Sequence, residues 1–250
     1  MDIIFAPLVV SLISSLLALA IVIVDSIVNN YGEVAININN GMKKLKVKGG
    51  RPLLFTLASE GIFVPSACGG KGSCGACKIK IATDVGNYLP TELPYMSKGE
   101  IKENIRLSCQ IKVKKDLDII LPEKLFNIRK YYGRVISIKN VTHDIKEVKI
   151  QLTDEINFRA GQYVQVVIPP YDNVKQSTQR AYSIASSPSK KDEIELLIRL
   201  VPGGIATTYI HNFLKEDDRL EIIGPFGDFY LRDTNADVIC VAGGSGMAPI

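Results

Sequence analysis

Four of the five cysteines in this chain fall in a pattern that can do chemistry. Cys68, Cys74 and Cys77 lie within the stretch ACGGKGSCGAC, residues 67–77, with five and then two residues between them, and Cys109 follows after 31 more. Four thiolates can hold either a zinc ion or an iron–sulfur cluster. A structural zinc site usually draws on paired C-x2–4-C knuckles. Here three donors come from one loop and the fourth is remote. Gly69, Gly70, Gly72 and Gly75 let the backbone pass close to sulfur and turn its N–H groups toward it, as a buried anionic cluster requires. The pattern favours a [2Fe–2S] cluster on Cys68, Cys74, Cys77 and Cys109, over zinc and over disulfides. An odd cysteine count also argues against a secreted disulfide scaffold. Clustered thiols in a reducing compartment more often bind metal or do redox chemistry. Lys71 is expected to be solvated at the loop tip, with moderation of the cluster's charge as the alternative. Cys240 stands apart and reads as a small buried hydrophobe.

The elements that must carry this loop begin with a membrane signal. Ile3 to Val24 is one apolar run, interrupted only by Pro7 and serines. About 20 apolar residues at ~1.5 Å each cross the ~30 Å hydrocarbon core. The run lacks a basic n-region and starts after Asp2, which favours a retained transmembrane anchor, residues 1–27, over a cleaved signal or a buried helix. Lys43, Lys44, Lys46, Lys48 and Arg51 follow the anchor. By the positive-inside tendency they place the body in the cytoplasm, on the inner or plasma membrane; as an alternative, they are only the wet face of a strand.

The stretch EVAININNGMKKLKVKG alternates apolar and polar residues about Asn40-Gly41, predicting a hairpin with a two-residue turn. RPLLFTLASEG predicts a short helix with Pro52 near its first turn and Gly61 at its end. CKIKIA, IRLSCQIKV and DLDIILP predict further strands, with Cys109 on the second. Together these make a small α+β domain. A linker, EKLFNIRKYYG, leads to a run of short strands rich in β-branched residues, which predicts an antiparallel barrel interrupted by one helix after Gly203-Gly204. The stretch ADVICVAGGSGMAPI predicts a buried strand, Val238 to Ala242, meeting a glycine-rich turn, the opening of a nucleotide-binding α/β unit. His143 and His211 read as surface residues. With Lys+Arg 30 against Asp+Glu 26, there is no concentrated basic character that would suggest nucleic acid.

These modules resemble a known arrangement. Residues 31–123 resemble a [2Fe–2S] ferredoxin domain of the β-grasp type, and residues 129–232 resemble the FAD-binding β-barrel of the ferredoxin–NADP reductase superfamily, with RAYSIAS matching its Arg-x-Tyr-Ser motif. Residues 233–250 resemble the start of its α/β NAD-binding domain, which is expected to continue beyond Ile250. Anchor, ferredoxin domain and flavin barrel, in that order, are similar to the family of the F subunit of the sodium-translocating NADH:quinone oxidoreductase. The stretches YLPTEL, IRLSCQIKV and DIILPEKLF and the cysteine spacing are similar too. The resemblance implies a multidomain, membrane-anchored oxidoreductase moving electrons from NADH through FAD to the [2Fe–2S] cluster, and on to quinone through other subunits of a membrane electron-transfer complex. It implies that Arg180 contacts the flavin phosphate region, with Ala181 beside it. Tyr182 would lie against the ring and Ser183 would hydrogen-bond near its reactive nitrogen. Gly203, Gly204 and Thr207 would meet the diphosphate, and Gly243, Gly244 and Gly246 the nicotinamide cofactor. Alternative readings remain: Arg180 as a surface charge, Tyr182 as a barrel-core aromatic, Thr207 as an ordinary helix residue. At the level of function, the alternatives are a reductase feeding an oxygenase and a tethered ferredoxin-type carrier. Without the rest of a nicotinamide domain, these 250 residues are expected to bind cluster and flavin but to oxidise NADH poorly.

Overall fold

The computed structural model describes residues 2–28, 31–232 and 237–250. Helix α1, Asp2–Val28, is 27 residues long. Its window Leu8–Asp25 has mean hydropathy 2.6, and none of it is buried inside the structure. A helix this apolar and this exposed has the length and composition to cross a bilayer.

The cluster domain is a mixed five-stranded sheet built from β1 (Glu33–Ile38), β2 (Lys43–Lys48), β3 (Lys78–Ile81), β4 (Ile105–Leu107) and β5 (Leu117–Ile120), in the order β2-β1-β5-β3-β4. β1 and β5 run parallel and the other pairs antiparallel. Period-two burial on β1 puts Val34, Ile36 and Ile38 inside. Helix α2, Leu53–Ser59, covers that face with Leu53, Leu54 and Leu57. Pro52 precedes it, where a missing N–H costs nothing, and Gly61 follows at φ +75°. A single turn, α3 (Lys98–Lys102), is fixed by a capping box between Ser97 and Glu100.

Two local expectations change. The β1–β2 connection is a four-residue turn, because Asn39 joins Asn40 and Gly41 at positive φ. The Asn39 side chain explains its departure from the strand, since it exchanges hydrogen bonds with both backbone groups of Leu121. Cys109 is not on a strand. β4 ends at Leu107, and Cys109 sits in the turn that follows.

The barrel has six antiparallel strands: β6 (Arg129–Asn140), β7 (Ile145–Leu152), β8 (Tyr163–Ile168), β9 (Thr178–Ser183), β10 (Glu193–Arg199) and β11 (Arg219–Phe226), in the order β10-β7-β6-β11-β8-β9. β6 starts four residues before the expected Gly133, within what reads as linker. β9 returns to β10 through one bridge, Ile184 to Leu196, and the bond from Ala185 N–H to the Glu195 carbonyl. Over most of its length β9 is therefore an open edge. Val135, Ile150, Val164, Val166, Ile194 and Ile222 fill the barrel, and helix α4 (Ile205–Asn212) packs Ala206, Tyr209 and Ile210 onto them.

The two domains share apolar packing. Ile223 and Phe226 of β11 belong to the core of the cluster domain, and Tyr163 and Val167 of β8 pack against it. The residues from Asp237 to Ala242 form no strand, and Val238, Ile239, Val241 and Cys240 are exposed. The expected buried strand is thus absent, and Cys240 is not a core residue. A strand buries its apolar side chains only against neighbours, and among the described residues none lies beside this segment. His143 is exposed as expected, whereas His211 is half-buried, its Nε2 2.9 Å from the Ile198 carbonyl oxygen.

Candidate functional site

The cluster loop is built from positive-φ turns. Gly69, Gly70, Gly72 and Gly75 have φ between +66° and +86°. At Gly75 a Cβ would lie 2.6 Å from the Tyr95 ring, so both backbone angle and space demand glycine. At Gly69 it would lie 3.2 Å from Arg180 Nη1 and from the Gln179 carbonyl oxygen, because the barrel presses on the loop there. Ser66, fully buried, receives the Gly70 N–H on its hydroxyl and pins the loop's start.

This winding collects the four thiols into two pairs. Cys74 Sγ lies 3.4 Å from Cys68 Sγ, and Cys77 and Cys109 act on each other's thiols, raising Cys77 and lowering Cys109. Burial acts to raise the Cys68 thiol, but the Ser73 N–H, the Cys74 thiol and the Lys71 N–H outweigh it and bring it down to about 7. Cys77 lowers Cys109 to about 6, against burial, with help from the Gln110 amide and the Gly72 N–H. The same interaction, with burial, holds Cys77 well above its ordinary value. The backbone N–H groups of Lys71, Gly72 and Ser73 act to lower these thiols, the influence the glycine-rich winding was expected to supply. Among the described residues, no three His, Cys, Asp or Glu side chains converge to hold one metal ion. Thiols in two pairs match two metal atoms rather than a single tetrahedral zinc, so the donor set fits a [2Fe–2S] cluster. Lys71 is exposed at the loop tip, as expected.

Several supporting residues escape the sequence reading. Arg106 and Glu92 are 2% and 0% exposed and form a bidentate pair at 3.0 and 2.7 Å. Arg106 also donates to the carbonyls of Gly86 and Asn87 and lies 4.3 Å from the centre of the Tyr88 ring. Glu92 accepts the N–H groups of Leu89 and Leu107. Every charge-bearing atom thus has a partner, which a buried pair needs. The pair clamps loop 84–95 onto β4, two residues before the Ser108 and Cys109 turn. Ser108 in turn binds the Cys77 carbonyl through both N–H and hydroxyl, at 2.9 and 3.0 Å. The available signal was Arg106 between Ile105 and Leu107, a charge inside an apolar strand.

The second site is strand β9. All six of its residues are half-buried. Arg180 and Tyr182 are opposite Val166 and Val164, and Tyr182 packs against the barrel core. Burial pushes the Tyr182 phenol up to about 12, so it stays protonated. Ser183 is opposite Tyr163 and Ala181 opposite Gln165. Tyr163 is stacked on Phe226 at 5.5 Å, and burial, together with the charges of Cys74 and Asp228, raises its phenol to about 12. Arg180 Nη1 donates to the carbonyls of Gln179 and Cys68, at 2.7 and 3.2 Å, and to the Thr178 hydroxyl. One guanidinium therefore ties the flavin motif to the cluster loop. Beside this contact lies a cavity of about 30 Å³, room for one water, where the buried Gln165 Nε2 has no protein partner.

Gly203, at φ +72°, and Gly204 lead into α4, whose N-terminus has no side-chain cap. Its first N–H groups suit an anion. Thr207 is mostly engaged elsewhere, bonded to both N–H and carbonyl of Val201. A guanidinium, a hydroxyl and a protonated phenol on one open strand, with an uncapped helix start nearby, fit a flavin nucleotide. A cleft of about 970 Å³ opens at the other side of Tyr163, between Ala76, Arg159 and Tyr230, and none of these flavin-motif residues lines it. Gly244 and Gly246 lie in a short 3-10 turn that packs on β10, and Gly243 precedes it.

The comparisons with known proteins agree with this division. Residues 36–114 match the 2Fe-2S iron-sulfur cluster binding domain, and residues 132–230 match the oxidoreductase FAD-binding domain. Among solved structures, the Amycolatopsis cytochrome P450 reductase GcoB is similar, at TM-score 0.63 and 27% identity, covering 86% of this chain and 65% of its own. A ferredoxin reductase in carbazole 1,9a-dioxygenase is similar at TM-score 0.62 and 27% identity, covering 87% and 68%. The F subunit of the Na(+)-translocating NADH-quinone reductase of Neisseria meningitidis is 38% identical over 100% of this chain and 70% of its own length. That of Mannheimia succiniciproducens is 40% identical over 94% and 66%. With four thiols in two pairs, an open flavin strand and this identity along the whole chain, the protein belongs to the family of the F subunit of Na(+)-translocating NADH-quinone reductase.

Proposed function

We propose that this chain carries electrons from NADH, through FAD on β9, to a [2Fe–2S] cluster on Cys68, Cys74, Cys77 and Cys109, and on to quinone through other subunits of a membrane complex. The observation that carries the reading is the Arg180 bond to the Cys68 carbonyl, which joins the two cofactor motifs in one packed unit. When bound, the flavin supplies acceptance of a hydride and the cluster supplies single-electron transfer. The residues position these groups. Arg180 offers planar donors to the flavin phosphate region. Tyr182 covers the ring from the barrel side, Ala181 leaves room beside it, and the Ser183 hydroxyl hydrogen-bonds near the reactive nitrogen. Gly203, Gly204 and the first turn of α4 hold the diphosphate, with Thr207 stiffening the loop they form. Gly243, Gly244 and Gly246 are assigned to the nicotinamide side. We divide the chain into an anchor at 1–27, a ferredoxin domain at 31–123, a flavin barrel at 129–232 and the opening of a nicotinamide domain at 233–250. The anchor is the single helix α1, and the lysines that follow it favour a cytoplasmic body.

The reductase-for-an-oxygenase reading shares the same modules, and the similar solved structures include proteins of that kind. The match to the quinone-reductase relatives along the whole chain, α1 included, favours the quinone-reductase reading. Iron, sulfide and flavin analysis with visible spectroscopy tests the proposal. Iron and sulfide in equal amounts, with one flavin per chain, is the expected result. Zinc without iron, or cluster without flavin, overturns it.

A further inference from the structure

Six of the chain's 21 lysines enter ion pairs among the described residues. Lys78 pairs with Glu100 at 2.7 Å, Lys130 with Glu221 at 2.9 Å, and Lys190 with Glu193 at 3.1 Å. The outer edge of the cluster domain gathers several of the others close together. Lys44, Lys46 and Lys48 project from β2, alternating with buried Leu45 and Val47. Lys114 and Lys115 are exposed on the loop before β5. That loop lies alongside the end of β2, through the bonds from Gly50 N–H to the Val113 carbonyl and from Val113 N–H to the Arg51 carbonyl. None of these five lysines enters an ion pair among the described residues. Across residues 31–51 and 112–118, eight basic residues stand against three acidic ones, an excess larger than the whole chain's +4. Two of the three acids are also occupied, Asp116 by the Ala35 N–H and Asp118 by the Asn37 amide.

Lysine on an edge strand discourages strand pairing. That accounts for β2 but not for Lys114 and Lys115, which lie off the strand. Position supplies the rest. α1 ends at Val28 and β1 starts at Glu33, which pairs with Lys48. Five residues at ~3.3–3.6 Å each keep the start of β1 within roughly 18 Å of the end of α1. With α1 in a bilayer, this basic edge is held close to the headgroups.

We propose that β2 and the loop before β5 form a lipid-facing surface that recognises the phosphates of anionic phospholipids and holds the cluster domain against the bilayer beside its anchor. The inference rests on the anchor reading of α1. Flexible ammonium groups suit a diffuse anionic surface better than a single bidentate pocket. The cluster loop, engaged by Arg180, faces the barrel.

The full chain is incorporated into nanodiscs of phosphatidylcholine alone, or of phosphatidylcholine with phosphatidylglycerol. A pulse of amine-acylating reagent, followed by mass spectrometry, reads each lysine. In the anionic discs, Lys44, Lys46, Lys48, Lys114 and Lys115 react roughly fivefold more slowly than in neutral discs. The difference disappears in ~1 M salt, where screening shortens to ~3 Å. Lys190, on the barrel, reacts equally in both. The charge reversal K44E/K46E/K48E removes the composition dependence at Lys114 and Lys115, with the cluster's visible spectrum intact. Equal reactivity in both lipids overturns the proposal. Protection that appears only on adding an acidic protein of the same membrane assigns the surface to a protein and also overturns it. A chain that does not co-elute with either disc overturns the anchor reading, and the proposal with it.

Discussion

The cluster loop and strand β9 meet at one hydrogen bond, Arg180 Nη1 to the Cys68 carbonyl, yet they are built on opposite principles. In the loop, positive-φ glycines and buried anchors leave the backbone few alternatives. The sulfurs come together where backbone N–H groups lower the thiols of Cys68 and Cys109. Strand β9 is an open edge that closes on β10 only beyond Ser183. Its side chains are half-buried and its arginine is engaged by the neighbouring domain. A site for a compact anionic cluster must be rigid before it is filled. A site for a long nucleotide can stay open along a strand and gain its last contacts from the ligand.

The contrast can be broken first at the thiols. Cys109→Ser removes one member of the Cys77 pair and is expected to abolish cluster absorbance and iron content while leaving flavin content unchanged. Loss of both together would show that the two sites fold as one. Next comes the buried clamp. Glu92→Gln leaves the Arg106 charge buried without its counter-ion and is expected to cost about 3–5 kcal/mol, read as a lower urea midpoint for loss of cluster absorbance. The same residue sets a pH dependence. Burial acts to raise the Glu92 carboxyl, but Arg106 and two backbone N–H groups hold it below its ordinary value. Its stabilisation is therefore full above the unfolded carboxyl value of about 4.3 and is lost as pH falls through the lower folded value. Urea midpoints measured across acid pH should fall in the native chain and flatten in Glu92→Gln.

Gly75→Ala is expected to cost about 1–3 kcal/mol, from an alanine at positive φ and from its contact with Tyr95. Adding Tyr95→Ala should restore only the contact part, measured by the same cluster-loss midpoint. On β9 the effects are smaller and fall on flavin. Arg180→Lys keeps the charge but loses the planar fork, and flavin binding measured by fluorescence titration is expected to weaken about tenfold. Thr207→Val should weaken it less, because the hydroxyl is committed to Val201. A larger loss at Thr207 than at Arg180 would reverse the roles given to them.

Much of the cluster site was legible because it is local. Cysteine spacing, glycine content and the short reach of a loop act between neighbours in the chain, so ACGGKGSCGAC carries its own geometry. The Arg106–Glu92 clamp was not legible. It joins positions 14 residues apart across a loop, and only burial turns two ordinary charges into a fixed pair. The same distinction explains the segment after Asp237, which has the composition of a buried strand and is exposed. Hydrophobic residues choose a strand only when a neighbour offers both hydrogen bonds and cover.

The sequence by itself determined the donor set, the apolar helix, the strand alternation that separates inside from outside, and the run of lysines that follows that helix. Those are properties of residue type and of periods of two and 3.6, which backbone geometry imposes on any chain. Tertiary structure alone decided that the thiols form two pairs, that Arg180 reaches the cluster loop, and that Ile223 and Phe226 of the barrel complete the core of the cluster domain. Each of those brings together groups distant in sequence. Their meeting depends on how whole sheets pack, which no local pattern encodes.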